Sequence, residues 1–239
     1  MNVTALQLPA RWNHANEQLA FVEAQLEGVQ QTDLVLLPEA SVTGYVSPES
    51  DFDLTRFAEP LEGPTRRAYA QFARRFDCLF VGPLIERDGE RCFNSLIGVT
   101  PRGDTLIHYR KKHPWFPEKW ATAGDEWCPV VEWRGVKVTA AICFDIHFLL
   151  GERVRADLVL FSSAWVDDDE VDARTPLLQQ LATENGLNVL NANWGPGEPR
   201  VRGQGGSMFV SADGSVTKAT AIRFDHEWVT RPGGERRGP

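Results

Sequence analysis

Residues 136–151 read VKVTAAICFDIHFLLG, and the expected fold is organised around this stretch. Residues 136–142 are apolar and rich in β-branched side chains, which is typical of a strand buried in a sheet that is covered on both faces. The strand pattern ends at Cys143, and the polar residues Asp145 and His147 follow closely. Because α/β sheets place reactive side chains at strand ends, Cys143 is either a candidate nucleophile or one more buried cysteine that packs as a small hydrophobe.

The composition indicates a soluble globular protein with one large core. Of the 239 residues, 42% are hydrophobic and 24% are charged. The net charge of -8 and the lack of a long basic run argue against nucleic acid or an anionic membrane as a partner. Residues 1–4 lead directly into a strand pattern and no apolar run approaches ~20 residues, so neither a signal peptide nor a membrane span is expected. The four cysteines are widely spaced without a C-x-x-C pair, which indicates reduced thiols in a cytoplasmic protein.

The segments on both sides of the central stretch alternate between strand and helix patterns. Apolar runs predict strands over residues 3–8, 34–37, 156–161 and 187–191. Apolar residues at helical spacing predict helices over residues 12–29, 64–76 and 172–185.

An antiparallel meander is predicted between these units. Its strands cover residues 78–85, 92–100 and 105–109, and Asp88-Gly89 gives the first turn a strong hairpin signal. A last hairpin is expected over residues 207–218. Strand–helix units on either side of a meander predict two sheets with helices outside, rather than one doubly wound sheet. We expect one domain over residues 1–230 and a disordered tail over residues 231–239.

A carboxylate, an ammonium and a thiol each follow a strand-like run, at Glu39, Lys111 and Cys143. A thiol with an ordinary pKa of ~8.5 is mostly protonated at neutral pH, so a cysteine nucleophile needs a base or a cation beside it. A carboxylate within apolar walls has a raised pKa and can accept the thiol proton, then pass it to a leaving amine. A lysine beside both, together with the backbone N–H of Phe144, can donate to the oxyanion of a tetrahedral intermediate. The three residues predict nucleophilic catalysis by a cysteine.

Several alternatives stay open at this point. Lys112 could take the place of its neighbour, because adjacent residues of a strand point to opposite faces. His113 or His147 could pair with Cys143 as a cysteine–histidine dyad. Cys143, Asp145 and His147 alternate as metal ligands can, although this triplet lacks a fourth ligand and the spacing of known zinc sites. A non-catalytic interaction protein could also keep this fold, because function depends on the site and not on the scaffold.

Taken in order, the motifs resemble those of the carbon–nitrogen hydrolase (nitrilase) superfamily over nearly the whole chain. They are LLPE at 36–39 with Gly44-Tyr45, YRK at 109–111, AICFD at 141–145, SAW at 163–165, ATEN at 182–185 and GGS at 205–207. The resemblance implies a four-layer αββα sandwich that hydrolyses an amide, or a related non-peptide C–N bond, of a small molecule through a thioester. It also implies no metal or organic cofactor, and a homodimer or a larger homo-oligomer.

The resemblance also assigns roles to individual residues. It places the base at Glu39, the lysine at Lys111 and the nucleophile at Cys143. A second glutamate in the loop after the lysine falls on Glu118, in a loop about one residue shorter than in similar members. Phe144 is expected to contact the substrate, and Tyr45, Trp165 and Trp115 either line the substrate pocket or belong to the core.

The residues that follow the cysteine favour amides over nitriles. Phe144-Asp145 resembles the amide-hydrolysing members, whereas nitrile-hydrolysing members more often carry Trp-Glu there. A true nitrilase remains the alternative enzyme. This chain departs from the family pattern at His147, where many members carry Arg, and in the short segment after Gly214.

Overall fold

The computed structural model describes residues 1–29, 31–167 and 171–218, and the backbone of 222–224. Within these ranges the strands are Val3–Ala5 (β1), Leu34–Leu36 (β2), Leu79–Asp88 (β3), Arg91–Val99 (β4), Thr105–Arg110 (β5), Val131–Trp133 (β6), Val136–Ile142 (β7), Leu158–Ser163 (β8), Asn188–Asn193 (β9), Met208–Val210 (β10), Val216–Lys218 (β11) and Ile222–Phe224 (β12). The α-helices are Ala15–Glu27 (α1), Pro64–Phe76 (α2), Ile146–Leu149 (α3) and Arg174–Asn185 (α4).

The described strands form two six-stranded sheets, each with three parallel strands in its middle. The first has the order β12-β1-β2-β3-β4-β5 and the second has the order β11-β10-β9-β8-β7-β6. In each sheet three strands that are sequential in the chain run parallel, β1, β2 and β3 in the first and β7, β8 and β9 in the second. Parallel neighbours need a crossover connection, and the four helices lie in those crossovers. The remaining pairings are antiparallel.

The side chains of β2 show how the four layers hold together. Leu34 and Leu36 belong to the apolar cluster that also contains the strands of the second sheet. Val35 and Leu37 point the other way and pack with residues of α1 and α2. Both faces are therefore buried, which explains the uninterrupted apolar run in the sequence. Residues of α4 pack on the second sheet in the same manner, so the structure confirms the expected αββα sandwich.

The structure differs from the sequence prediction mainly at element boundaries and in short elements. The strand predicted over residues 3–8 ends at Ala5, and the helix predicted from residue 172 begins at Arg174. Asp172 instead precedes the helix, where its Oδ1 accepts a hydrogen bond of 3.0 Å from the backbone N–H of Thr175. Strands β6 and β12 and helix α3 have no counterpart in the prediction.

Two further expectations concern the chain ends and membranes. The predicted tail over residues 231–239 and the domain end at residue 230 lie outside the described residues. No helix within the described ranges combines the length and the apolar character that a membrane crossing requires.

Candidate active site

Cys143 lies on a sharp turn between β7 and α3. Its φ of 42° falls in the left-handed region, which residues other than glycine adopt only when their surroundings hold them there. Asp145 supplies that restraint, because its Oδ2 accepts hydrogen bonds from the backbone N–H of Ile142 at 3.1 Å and from Tyr109 Oη at 2.7 Å. Cys143 is 9% exposed and contributes to the wall of a cavity. The turn thus presents the thiol at the end of a buried strand.

Asp145 also joins this turn to the segment after β5. Its Oδ1 accepts a hydrogen bond of 2.9 Å from the backbone N–H of His113, and His113 Nδ1 lies 3.2 Å from the same oxygen. Burial raises the pKa of Asp145, while Lys111 and these hydrogen bonds oppose the rise. The carboxylate is turned toward Tyr109 and His113. This arrangement disfavours a metal site formed by Cys143, Asp145 and His147. The His113 ring stacks on Phe148, with centroids 3.7 Å apart, and does not belong to the lining of the cavity onto which Cys143 opens.

Lys111 is buried between two carboxylates. Its Nζ donates hydrogen bonds of 2.7 Å to Glu39 Oε1 and 2.6 Å to Glu118 Oε1. Burial alone would lower the pKa of Lys111, but Glu118 and Glu39 raise it above its ordinary value, so the side chain stays an ammonium. Lys112 points elsewhere, with its Nζ 5.1 Å from the centroid of the Trp127 ring. The structure therefore places Lys111, and not Lys112, beside Glu39.

Glu39 follows β2 and Pro38 and is 1% exposed. Its Oε1 accepts hydrogen bonds from Lys111 and from Asn94 Nδ2 at 2.8 Å, and its Oε2 accepts one from the backbone N–H of Ala164 at 3.0 Å. Burial raises the pKa of Glu39, Lys111 opposes that rise and Glu118 reinforces it. A carboxyl group in this environment is suited to hold a proton for part of a reaction cycle.

Glu118 reaches the same cluster from the loop that follows β5. Its Oε1 accepts hydrogen bonds from Tyr45 Oη at 2.7 Å and from Lys111, and Asn94 Nδ2 lies 3.3 Å from its Oε2. The loop returns to the sheet at Gly124, where a Cβ would lie 2.2 Å from the carbonyl oxygen of Arg110. Only glycine permits that close approach. The loop geometry thus brings Glu118 next to both other charged residues.

The pKa of the Cys143 thiol depends on burial and on the charges of Glu39, Glu118 and Lys111. Burial raises its pKa well above the ordinary value, and Glu39 and Glu118 raise it further. Lys111 and the backbone N–H of Ala164 oppose the rise. The resting thiol is therefore protonated at neutral pH, and nucleophilic attack would require a base to remove its proton.

Asn94 is a site residue that the sequence prediction missed. It lies on β4, is 1% exposed, and its Nδ2 contacts both Glu39 and Glu118. Its only signal in the sequence is a polar side chain within an apolar strand. Asn193 was missed as well, and its Oδ1 accepts hydrogen bonds from the backbone N–H of Trp165 at 2.9 Å and from Ser163 Oγ at 3.0 Å. Asn94 thus holds the two carboxylates, and Asn193 holds the segment that contributes Trp165 to the cavity wall.

A cavity of about 480 Å³ opens onto Cys143. The three aromatic residues expected to contact the substrate, Phe144, Tyr45 and Trp165, all line it, and so do Trp115 and His147. Tyr45 serves two purposes, since its ring lies in the wall while its hydroxyl holds Glu118. The cavity is large enough for a small molecule and is mainly apolar, as ligand pockets are.

Comparisons with known proteins identify similar sequences and a matching family. Residues 2–227 match the sequence model of the carbon–nitrogen hydrolase family. The chain is 34% identical over 190 residues to an (R)-stereoselective amidase of Pseudomonas sp, covering 77% of this chain and 68% of that protein. It is 28% identical over 224 residues to omega-amidase YafV of Yersinia enterocolitica, covering 90% and 83%.

Solved structures show the same architecture. The CN-hydrolase superfamily protein XC1258 from Xanthomonas campestris, which carries an arsenic adduct in its active site, is 26% identical with a TM-score of 0.80, covering 93% of this chain and 86% of that one. An amidase from Nesterenkonia sp. is 25% identical with a TM-score of 0.77, covering 94% and 88%. Because the family model spans nearly the whole chain, this protein belongs to the carbon–nitrogen hydrolase family.

Proposed function

We propose that this carbon–nitrogen hydrolase cleaves amides of small molecules through a thioester on Cys143. In this proposal Glu39 is the general base and acid, Lys111 is an oxyanion donor and Glu118 positions the substrate. One observation carries the proposal: a buried array of Glu39, Lys111 and Glu118 adjoins a strained cysteine that opens onto an apolar cavity.

In the first half of the reaction Glu39 removes the thiol proton as the sulfur of Cys143 attacks the amide carbonyl carbon. The carbonyl oxygen becomes an oxyanion, which accepts hydrogen bonds from Lys111 Nζ and the backbone N–H of Phe144. Glu39 then passes its proton to the amide nitrogen and the C–N bond breaks. Ammonia or an amine leaves, and the acyl group stays on the sulfur as a thioester.

In the second half Glu39, now a carboxylate, removes a proton from water as the water oxygen attacks the thioester carbon. The tetrahedral intermediate collapses, the C–S bond breaks and the sulfur recovers the proton from Glu39. The product is a carboxylic acid, and Cys143 returns to the thiol. Glu118 is held by Tyr45 and Lys111 at 2.7 and 2.6 Å, a position from which it can orient the amide group toward the sulfur.

The relatives support an amide as the substrate, since the two similar curated proteins are named amidases. The single domain over residues 1–230 is part of the proposal and is supported by the extent of the family match. A cytoplasmic location is supported by four cysteines that are all free. Assembly into a homodimer or a larger homo-oligomer is supported by the family resemblance alone.

The function is tested by measuring ammonia release from paired small amides and nitriles. We expect the wild-type protein to hydrolyse amides with a higher kcat/KM than the nitriles of the same carbon skeleton. Preferential hydrolysis of the nitriles would assign the protein to the other substrate class. No hydrolysis of either kind by the folded protein would favour a non-catalytic role.

Lys111→Ala is expected to lower kcat for amides by ~10²–10³-fold, because it removes a proposed oxyanion donor. It also leaves two buried carboxylates without their cation, so we expect a loss of stability of roughly 3–5 kcal/mol. Activity should therefore be measured at a temperature where circular dichroism shows the variant folded. Lys112→Ala is the matched control and should change kcat by less than about threefold, since its ammonium lies over Trp127. The reverse ranking of the two variants would exclude Lys111 from this role.

Glu118→Gln is expected to lower kcat/KM for amides by about 10²-fold, because misplacing a substrate by ~1 Å has effects of that size. Glutamine preserves the side-chain volume and can still accept hydrogen bonds from Tyr45 and Lys111. Glu126→Gln, at an exposed position of the same loop, is the matched control. Equal activity of the two variants would remove Glu118 from the proposed site.

A further inference from the structure

Among the described residues that line the active-site cavity there is one carboxylate and no lysine or arginine. The carboxylate belongs to Asp167. This residue lies three positions after Ala164, and the backbone N–H of Ala164 donates to Glu39. His147 lines the cavity as well, and partial burial lowers its pKa, so the imidazole is neutral at pH 7. The formal charge on the described lining residues is therefore negative.

Hydrogen bonds fix the Asp167 side chain through Oδ1, while Oδ2 lies beside Gly203, where a Cβ would approach it to 3.2 Å. Its Oδ1 accepts a hydrogen bond of 2.7 Å from Trp165 Nε1 and one of 3.4 Å from the backbone N–H of Ala173. Its Oδ2 accepts no hydrogen bond from any side chain or backbone group in the described part of the chain. A carboxylate held in place with a free oxygen at a cavity wall is suited to accept hydrogen bonds from a ligand.

The other lining residues are mainly aromatic and aliphatic. Tyr45 and Trp115 are stacked, with ring centroids 6.5 Å apart and an interplanar angle of 19°, and Phe144 and Trp165 also line the cavity. The aliphatic lining residues are Ala164, Val166, Val171 and Ala173. Aromatic faces pack against alkyl chains and attract ammonium groups. This lining fits a short aliphatic chain that ends in a cation.

The buried charges behind the wall are mixed, with carboxylates in excess of cations. Beneath the cavity lie three buried carboxylates, Glu39, Glu118 and Asp145, and one buried ammonium, Lys111. The opposing feature is Arg174, which is 4% exposed and whose Nε and Nη1 have no hydrogen-bond partner. Its Nη2 donates to the carbonyl oxygens of Gly205 and Gly206, both at 2.9 Å, and Arg174 does not line the cavity. Burial lowers the pKa of Arg174, and the charges of Asp172 and Asp167 oppose that effect, so Asp167 faces this cation from the cavity side.

We propose that the acyl part of the substrate carries an ammonium group that binds Asp167 and the aromatic wall, so that the preferred substrates are ω-amino amides. This inference rests on the proposed amidase function and narrows it to a substrate class. The amide carbonyl lies at Cys143 and the methylene chain crosses the rings of Trp165 and Phe144. The ammonium donates a hydrogen bond to the free Oδ2 of Asp167.

The test uses three families of amides that differ only in the terminal group. For a four-methylene spacer these are 5-aminopentanamide, hexanamide and the monoamide of adipic acid, and the spacer is varied from one to six methylenes. At the best spacer length we expect kcat/KM for the ammonium compound to exceed that for the methyl compound by at least about tenfold, the usual size of a charge-assisted hydrogen bond. The carboxylate compound should be the poorest of the three.

Substitution of Asp167 then assigns the preference to its carboxylate. Asp167→Asn should lower the ratio of the ammonium compound to the methyl compound by about tenfold, because the amide cannot form the ion pair. Asp172→Asn is the matched control. Its carboxylate contacts Lys218 Nζ at 2.7 Å and lies outside the cavity lining, so the ratio should not change. Thermal unfolding of both variants checks that they are folded.

The possible failures are distinguishable. Equal kcat/KM for the ammonium and methyl compounds would overturn this inference and leave the amidase function standing. The inference would also be overturned if Asp167→Asn left the ratio of kcat/KM between the ammonium and methyl compounds unchanged. Preference for the adipic monoamide would overturn the inference in favour of anion binding by Arg174. A wild-type protein that hydrolyses none of the amides would overturn the proposed function, and this inference with it.

Discussion

Replacing Cys143 with alanine is expected to lower amide hydrolysis by roughly 10⁴-fold or more, because the described cavity lining contains no other thiol that could form the thioester. The fold should persist. Alanine keeps the Cβ, so the backbone at φ 42° is no more strained than with cysteine. The hydrogen bonds from Ile142 and Tyr109 to Asp145, which hold the turn, do not involve the sulfur.

The measurement is single-turnover and steady-state release of ammonia by the variant and the wild type. Cys78→Ala is the matched control, since it removes a thiol that is fully buried outside the cavity lining. It should reduce stability by about 1–2 kcal/mol through the small void it leaves, with little effect on turnover at 25 °C. Wild-type rates from Cys143→Ala would exclude Cys143 as the nucleophile.

Glu39→Gln is expected to lower kcat by ~10²–10⁴-fold, the usual contribution of general acid–base catalysis. Glutamine retains the volume of glutamate, and its single carbonyl oxygen can still accept the hydrogen bonds of Lys111 and Asn94, while the hydrogen bond from the N–H of Ala164 is lost. It cannot take the proton of Cys143. Because Glu39 raises the pKa of the thiol, its removal should also move the pH profile of Cys143 alkylation by iodoacetamide to lower pH.

These two effects of Glu39→Gln separate a catalytic role from a structural one. A misfolded site would lose both turnover and selective alkylation, whereas a missing base leaves a thiol that ionises more readily but turns over slowly. Glu49→Gln changes an exposed glutamate and should affect neither property. Unchanged kcat in Glu39→Gln would move the role of base to another group.

The sequence predicted the two strands that matter most because both are buried on both faces. Leu34–Leu36 is an uninterrupted apolar run and Val136–Ile142 is apolar apart from Lys137 and Thr139, and each strand is followed within three residues by a proposed catalytic residue. That pattern depends only on neighbouring residues, so it can be read without knowing the fold. The matching order of strands in the two sheets arises from pairing between distant segments and left no clear sequence repeat.

The choice between Lys111 and Lys112 could not be made from the sequence with certainty, because it depends on the pairing of one strand. In the structure the backbone N–H of Lys111 donates to the carbonyl oxygen of Asn94 at 2.8 Å, which extends the pairing of β5 with β4 by one residue. This register turns the Lys111 side chain toward Glu39. The family resemblance made the same choice, whereas strand phase alone left both open.

Asn94 and Asp145 escaped assignment for a different reason. Each acts through partners that are far away in sequence: Asn94 contacts Glu39, and Asp145 contacts Tyr109 and His113. Their side chains make these contacts only in the folded protein, where β4, β5 and β7 bring the partners together. Strand β6 has three residues and a half-buried pattern, so its local signal is too weak to distinguish it from a loop.

The covalent bond to Cys143 is tested most directly by peptide mass spectrometry of the wild-type protein quenched in acid during turnover of a slow amide. We expect the mass of the acyl group on the peptide that contains Cys143, and its disappearance as the substrate is consumed. The same adduct on Cys78, Cys92 or Cys128 would contradict the proposed site. Turnover with no adduct on any cysteine, under conditions where acylation is faster than deacylation, would contradict the thioester mechanism.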